Sequence, residues 1–241
     1  MAAVAKKANA NEPNIVINEL FCNLIARSLF LPCPPGALLE NGGEHYYSSL
    51  NFNLAGQALP PAPITQIAAN FPEICWGVIL FDVLVMNPDR HNKNLSFDRT
   101  TNVIQIFDHS RAFLPCKSNI DTAIKDNNGK LGFSGHCLKN EISTMNGFDY
   151  WTNRIKILPD YVIEESVTEI SHIGFPIDKK ALTIDFIKSR RDNIDSLITS
   201  NIKEFPKLPQ PAVVAPKGAP PAGVVPPTAV PQPAPQPGQA R

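Results

Sequence analysis

Asp89, Asn94 and Asp108 are the residues whose types and spacing could do chemistry. They lie in two polar stretches, MNPDRHNKNLSFD (86–98) and IQIFDHSRAF (104–113), in a chain of modest charge content. An Asp, an Asn five residues on, and a second Asp closing the next strand have a known use. Phosphoryl transfer needs a carboxylate near the acceptor hydroxyl and oxygen ligands that hold Mg²⁺ against the phosphates. Mg²⁺ keeps several of its waters, so one Asn and one Asp suffice. A plainer reading stands beside this one. Asp89 closes a turn after Pro88, Asn94 does the same before a strand, and Asp108 caps the following turn. An Asp at the end of an otherwise apolar strand nevertheless asks for a partner.

The elements that must position these residues are readable from periodicity. PNIVINELFCNLIARSLF is expected to be a helix from Pro13, with Ile17, Leu20, Phe21, Leu24, Ile25 and Leu29 on one face and LPCPPG ending it. ALLENGGEHYYSSLNF reads as a hairpin around Asn41-Gly42-Gly43. CWGVILFDVLVM is too long for a strand and too uniformly apolar for a surface helix, so it is expected as a buried helix in which Asp82 faces a polar neighbour. LSFDRTTNVIQIFDHS reads as a second hairpin, Leu95–Phe97 against Val103–Phe107, turning over Asp98–Asn102. Such a hairpin brings Asn94 at its start close to Asp108 at its end. Residues 117–136 read as a long polar loop. The C-terminal part reads as helical, with Leu182, Phe186, Ile187, Ile194, Leu197 and Ile198 near one stripe and Arg190 and Arg191 on a solvated face.

DRHNKNLSFD followed by IFDHSRAF resembles the catalytic and metal-binding segments of the HipA-like kinases, within the protein-kinase and phosphoinositide-kinase superfamily. The resemblance implies Asp89 as catalytic base, Asn94 as a Mg²⁺ ligand and Asp108 as the second metal ligand, with His91 and Lys93 lining the phosphates. Upstream, INELFCNLIARSLFLPCPPGALL resembles the segment in which a helix Glu pairs with a strand Lys. That implies Glu19 for the Glu, and either Lys6 or Lys7, at the end of AAVAKK, for the phosphate-gripping Lys. HYYSSLNF would lead to an adenine-facing hinge around Ser49–Phe52. The implied nucleotide-binding set is Lys7, Glu19, Lys93, Ser49 and Asn51. The implied fold is α+β and protein-kinase-like, with a β-rich N-terminal lobe (1–55) and a mainly helical C-terminal lobe (56–206). Superfamily members carry two strands and a phosphate-covering loop ahead of the Lys. Here Met1 lies a few residues before Lys6, so the expected N-terminal lobe is truncated.

Composition narrows the function classes. Lys plus Arg equals Asp plus Glu at 22 each, which argues against a general nucleic-acid or membrane-surface binder. No apolar run reaches the length of a membrane span. Five scattered cysteines without a CxxC pair suggest reduced thiols in the cytoplasm and no zinc site. From Lys207 the sequence turns Pro/Ala/Val-rich and is expected to be disordered, either a soluble tail or a ligand for a Pro-recognition domain. The function expected is an ATP- and Mg²⁺-dependent kinase acting on a Ser or Thr hydroxyl of a protein. The competing readings are a pseudokinase that binds nucleotide or a partner without turnover, a phosphoinositide kinase, and a metal-dependent phosphoesterase. Arg111 faces either the acceptor or a surface salt bridge.

Overall fold

Gly42 and Gly43 both take positive φ, 61° and 79°, and so form a two-residue turn that other residues close only under strain. The computed structural model describes residues 2–51, 60–114 and 119–210. Strands β1 (Ala3–Lys7), β2 (Gly36–Asn41) and β3 (Glu44–Leu50) form one antiparallel sheet in the order β1-β3-β2. Asn41 lies opposite Glu44 across the turn, and Lys6 lies opposite Tyr47. Tyr47 turns its ring onto the core, where a side chain at Gly36 would collide with it. Only glycine lets β2 pass so close to that ring.

Helix α1 (Ile15–Ser28) packs beneath this sheet and against a later helix. Its expected apolar face is present, yet the polar residues between are buried too: Asn18, Glu19 and Asn23 are each at most 2% exposed. Helices α2 (Ile64–Asn70) and α3 (Pro72–Leu84) follow, α3 opening on Pro72 at a position where the missing N–H costs nothing. From Cys75 to Leu84 every residue of α3 is buried, as the unbroken apolar run requires. Trp76 anchors it. The indole packs on Phe148 and Phe205, and its N–H donates to the Thr144 carbonyl at 2.8 Å.

Strands β4 (Leu95–Asp98) and β5 (Val103–Ile106) form the second hairpin, Leu95 opposite Ile106; the turn is shorter than expected, because Asp98 belongs to β4 and pairs with Val103. The remaining helices are α4 (Ile120–Asn127), α5 (Phe148–Lys156), α6 (Asp160–Ser171), α7 (Lys180–Asp192) and α8 (Ile194–Ser200). Helix α1 packs on α6, and α3 on α5. No single described helix is long and apolar enough to cross a membrane.

Four sequence expectations need correction. Helix α4 occupies part of the stretch read as a polar loop. Asn119 caps it by accepting from the Thr122 N–H, and it buries Ile120 and Ala123 on a narrow face. The C-terminal part is helical as expected, in two helices that break at Asn193. Leu182 is exposed, while Ile187, Ile194, Leu197 and Ile198 are buried. Arg190 and Arg191 are not solvated. Arg190 donates to the carbonyls of Val83, Asn127, Lys130 and Leu131, supplying partners that helix ends and loops lack on their own. Arg191 reaches the Leu158 carbonyl and the Asp160 carboxylate. Finally, packing runs past the boundary expected at 206: Lys207 pairs with Glu141 and Leu208 is buried. The Pro-rich residues 211–241 lie outside the described residues, as do Cys116 and Phe52, the last residue of the expected hinge.

Candidate active site

Helix α1 and strand β1 meet at one ion pair. Lys6 Nζ donates to Glu19 Oε1 at 2.6 Å and to Asp108 Oδ1 at 2.7 Å. Of the two lysines considered, Lys6 makes this junction. Lys7, counted among the nucleotide-binding residues, does not, because successive side chains on a strand point to opposite faces. Its ammonium pairs instead with exposed Glu44 at 3.3 Å. Burial works to lower the Lys6 pKa, but the two carboxylates outweigh it and the net shift is upward. Burial raises the Glu19 pKa, and Lys6 offsets this only in part.

Asp108 sits just past the second hairpin. Its φ of 58° is left-handed, an unusual backbone for a residue with a side chain. Helix α1 holds the turn that carries it. Asn18 donates to the carbonyls of Ser110 and Leu114 and accepts from the Leu114 N–H, while Phe21 stacks on Phe113 at 4.3 Å. Burial pushes the Asp108 pKa up, yet Lys6 and the Ser110 hydroxyl, at 2.8 Å, hold it at about 2. The carboxylate is therefore ionised at neutral pH. His109 is buried beside it, its ring edge-on to Phe81 and its Nδ1 3.8 Å from Glu19 Oε2.

Asn94 stands at the mouth of the same hairpin. The rung beyond Leu95–Ile106 pairs it with Phe107, whose N–H donates to the Asn94 carbonyl at 3.3 Å. Its side-chain amide donates to the Asp89 carbonyl at 2.9 Å, tying the Asp89 loop to the hairpin. Asp89 itself keeps a carboxylate that is 31% exposed, with Arg111 at 3.9 Å its one ion-pair partner among the described residues. His91 and Lys93 are exposed on the same loop, where the His91 ring accepts from the Lys93 backbone N–H. Ser49 lies near the end of β3 opposite Val4, on the sheet face that also carries Lys6. Asn51 follows that strand, its N–H bonded to the Ala2 carbonyl.

The element that fixes all of this was not singled out as functional in the sequence. Arg90 is fully buried. Its guanidinium donates to both oxygens of Asp82, at 2.8 and 3.0 Å, and to the carbonyls of Asn94 and Phe107, at 2.8 and 3.0 Å. Asp82 also binds Asn87 at 2.8 Å and the His136 ring at 3.0 Å. Burial opposes ionisation of Asp82, but Arg90 and His136 hold its pKa well below the ordinary carboxylate range. One buried ionic cluster thus locks helix α3, the Asp89 loop and both strands of the hairpin together. The signal for it was present: a lone Asp in an apolar helix must find a charged partner, and Arg90 was the nearest cation in sequence.

A solved structure with this arrangement of elements exists. The crystal structure of a Helicobacter pylori proinflammatory kinase, CtkA, matches with a TM-score of 0.53 over 83% of this chain and 88% of that one, at 17% sequence identity. This chain has the fold of the CtkA kinase. The HipA chain in a Shewanella oneidensis toxin–antitoxin complex with HipB and operator DNA is a looser likeness, at TM-score 0.39 and 14% identity over 87% of this chain and 53% of that chain. No protein-family model and no curated protein matches the sequence. Within the kinase fold the expected lobes take form as a small three-stranded sheet with α1 and a larger helical part carrying the β4–β5 hairpin.

The oxygen donors at the hairpin suit a hard divalent cation. Asn94 offers an amide and Asp108 an ionised carboxylate, the ligand types Mg²⁺ takes when phosphates and water complete its shell. Among the described residues no group of three or more His, Cys, Asp or Glu is arranged to hold a metal by itself.

Proposed function

We propose that this chain is an ATP- and Mg²⁺-dependent phosphotransferase of HipA-like type, acting on a Ser or Thr hydroxyl of a protein. The observation that carries the reading is the Lys6 ammonium, held between Glu19 and Asp108 on the kinase fold. A cation fixed by a buried carboxylate is poised to meet phosphate oxygens without further ordering. Asp89 supports the reading from the other side, with a carboxylate that carries no hydrogen bond from any described residue and is open to an incoming hydroxyl.

The roles follow from these positions. Glu19 fixes Lys6, and Lys6 contacts phosphate oxygens. Asn94 and Asp108 would hold Mg²⁺. Asp89 orients the acceptor hydroxyl and takes its proton. His91 and Lys93, exposed on the same loop, add donors toward the phosphates. Arg90 touches no reactant; it keeps the Asn94 and Phe107 carbonyls in register. Bound Mg²⁺ and nucleotide supply charge neutralisation and the phosphoryl group.

Calorimetry with ATP and Mg²⁺ on the full chain tests the reading. Binding that needs Mg²⁺ and weakens in Asp108→Asn supports it. A well-folded wild-type chain that binds no nucleotide under these conditions rules it out.

A further inference from the structure

Arg111 is held differently from the arginines that build the fold. Arg90, Arg154, Arg190 and Arg191 each donate at least one hydrogen bond of 3.0 Å or less. Arg111 donates none to any described residue. Its Nε lies 3.7 Å from Glu12 Oε1 and its Nη1 3.9 Å from Asp89 Oδ2, and its side chain is 51% exposed. Two carboxylates share this cation, and neither is at hydrogen-bond distance. A guanidinium has five donors in a planar fork that fits a carboxylate or phosphate in bidentate fashion. Here that fork is unused, and it stands beside the carboxylate assigned to the acceptor hydroxyl. Lys93, four residues from Asp89, is also exposed and pairs with no described acid.

We propose that Arg111 selects the acceptor, by binding an anionic group, carboxylate or phosphate, that lies next to the hydroxyl to be phosphorylated. The inference rests on the phosphotransferase reading above. Such a group offers Arg111 the two short hydrogen bonds that Glu12 and Asp89 do not. It draws the guanidinium away from Asp89 and leaves that carboxylate to the hydroxyl. The acceptor class is therefore an acidic or already phosphorylated peptide segment. An acceptor flanked by cations meets Arg111 and Lys93 with like charge.

The test uses two synthetic peptides with one serine each, flanked by Glu in one and by Lys in the other, and their Ser→Ala versions for binding. Wild-type full chain should phosphorylate the Glu peptide with a kcat/KM about tenfold above the Lys peptide, the size of one partly desolvated ion pair. Arg111→Gln should abolish the preference and Arg111→Glu reverse it, with KM for ATP unchanged. The Ala version of the Glu peptide, followed by fluorescence anisotropy, should bind wild type more tightly than Arg111→Gln. Because the Arg111 side chain is exposed and donates no hydrogen bond to any described residue, these variants should melt with wild type. Equal binding of the Glu peptide by wild type and Arg111→Gln overturns the proposal. So does a defect confined to KM for ATP, which would assign Arg111 to the nucleotide instead. Arg111-dependent binding of the Glu peptide without any phosphate transfer sustains the acidic-peptide site and rejects the kinase reading alone.

Discussion

Lys6 Nζ and Asp108 Oδ1 lie 2.7 Å apart although 102 residues separate them in sequence. Strand β1 and the end of the second hairpin are therefore joined at the point where the site is assembled. Lys6→Met should reduce phosphate transfer by on the order of a hundredfold, the usual loss for one charged group stabilising a transferring phosphoryl. Lys7→Met should leave transfer near wild type, since the Lys7 ammonium pairs with exposed Glu44 and lies over the Tyr46 ring, away from Glu19 and Asp108. Steady-state rates of the two variants decide it. Equal losses would mean that the ion pair is structural.

Asp89→Asn removes a charge and little else, because no described residue hydrogen-bonds that carboxylate. Transfer should drop by about 10²- to 10⁴-fold, the range for a positioned base. The melting temperature and nucleotide affinity should stay at wild-type values. Undiminished turnover in this variant would remove Asp89 from the mechanism.

Arg90→Met leaves Asp82 charged and buried. Breaking one side of a buried pair costs about 3–5 kcal/mol, and urea denaturation should record a loss of that size. Replacing Asp82, Arg90 and His136 together by apolar residues of similar volume should recover much of it. Transfer should not recover, because the Asn94 and Phe107 carbonyls lose their common donor. A triple variant no more stable than Arg90→Met would contradict this account of the cluster.

Acid should destabilise the fold in two stages. His136 is buried, and burial lowers its pKa despite the bond to Asp82. The folded state thus binds fewer protons than the unfolded chain, so this stability is complete above pH about 6.5 and falls as pH drops below it, by up to about 1.4 kcal/mol per pH unit. Asp82 is shifted downward, so its contribution is complete above pH about 4 and is lost on further acidification. Denaturation midpoints across this range, for wild type and His136→Gln, should differ in slope between pH 6.5 and 4.5. Identical slopes would show that His136 does not titrate on unfolding.

The parts of the site visible in sequence are those built over short distances. Asp89 and Asn94 share one loop, and a single hairpin carries Asn94 to Asp108, so turn chemistry and strand alternation sufficed. Alternation did not decide between Lys6 and Lys7, because which face of β1 meets α1 depends on how the sheet packs. The Asp82–His136 contact spans 54 residues and Arg190–Val83 spans 107, and no local pattern encodes either. Arg190 and Arg191 look like surface residues until the unpaired carbonyls around them are known. Helix α4 escaped notice because it buries so little: Ile120 and Ala123 in a segment otherwise polar.

The cluster around Asp82 also bears on inheritance. Asp82, Arg90 and His136 satisfy one another so completely that a change at one position makes the other two a burden. Related sequences should therefore keep the three together or lose them together, drifting as a single unit. Asp89, whose carboxylate takes no hydrogen bond from any described residue, should be able to disappear alone. Under the phosphotransferase proposal, a lineage that has lost Asp89 but kept the cluster would have given up catalysis while retaining its architecture, and a sequence comparison could date the one event independently of the other.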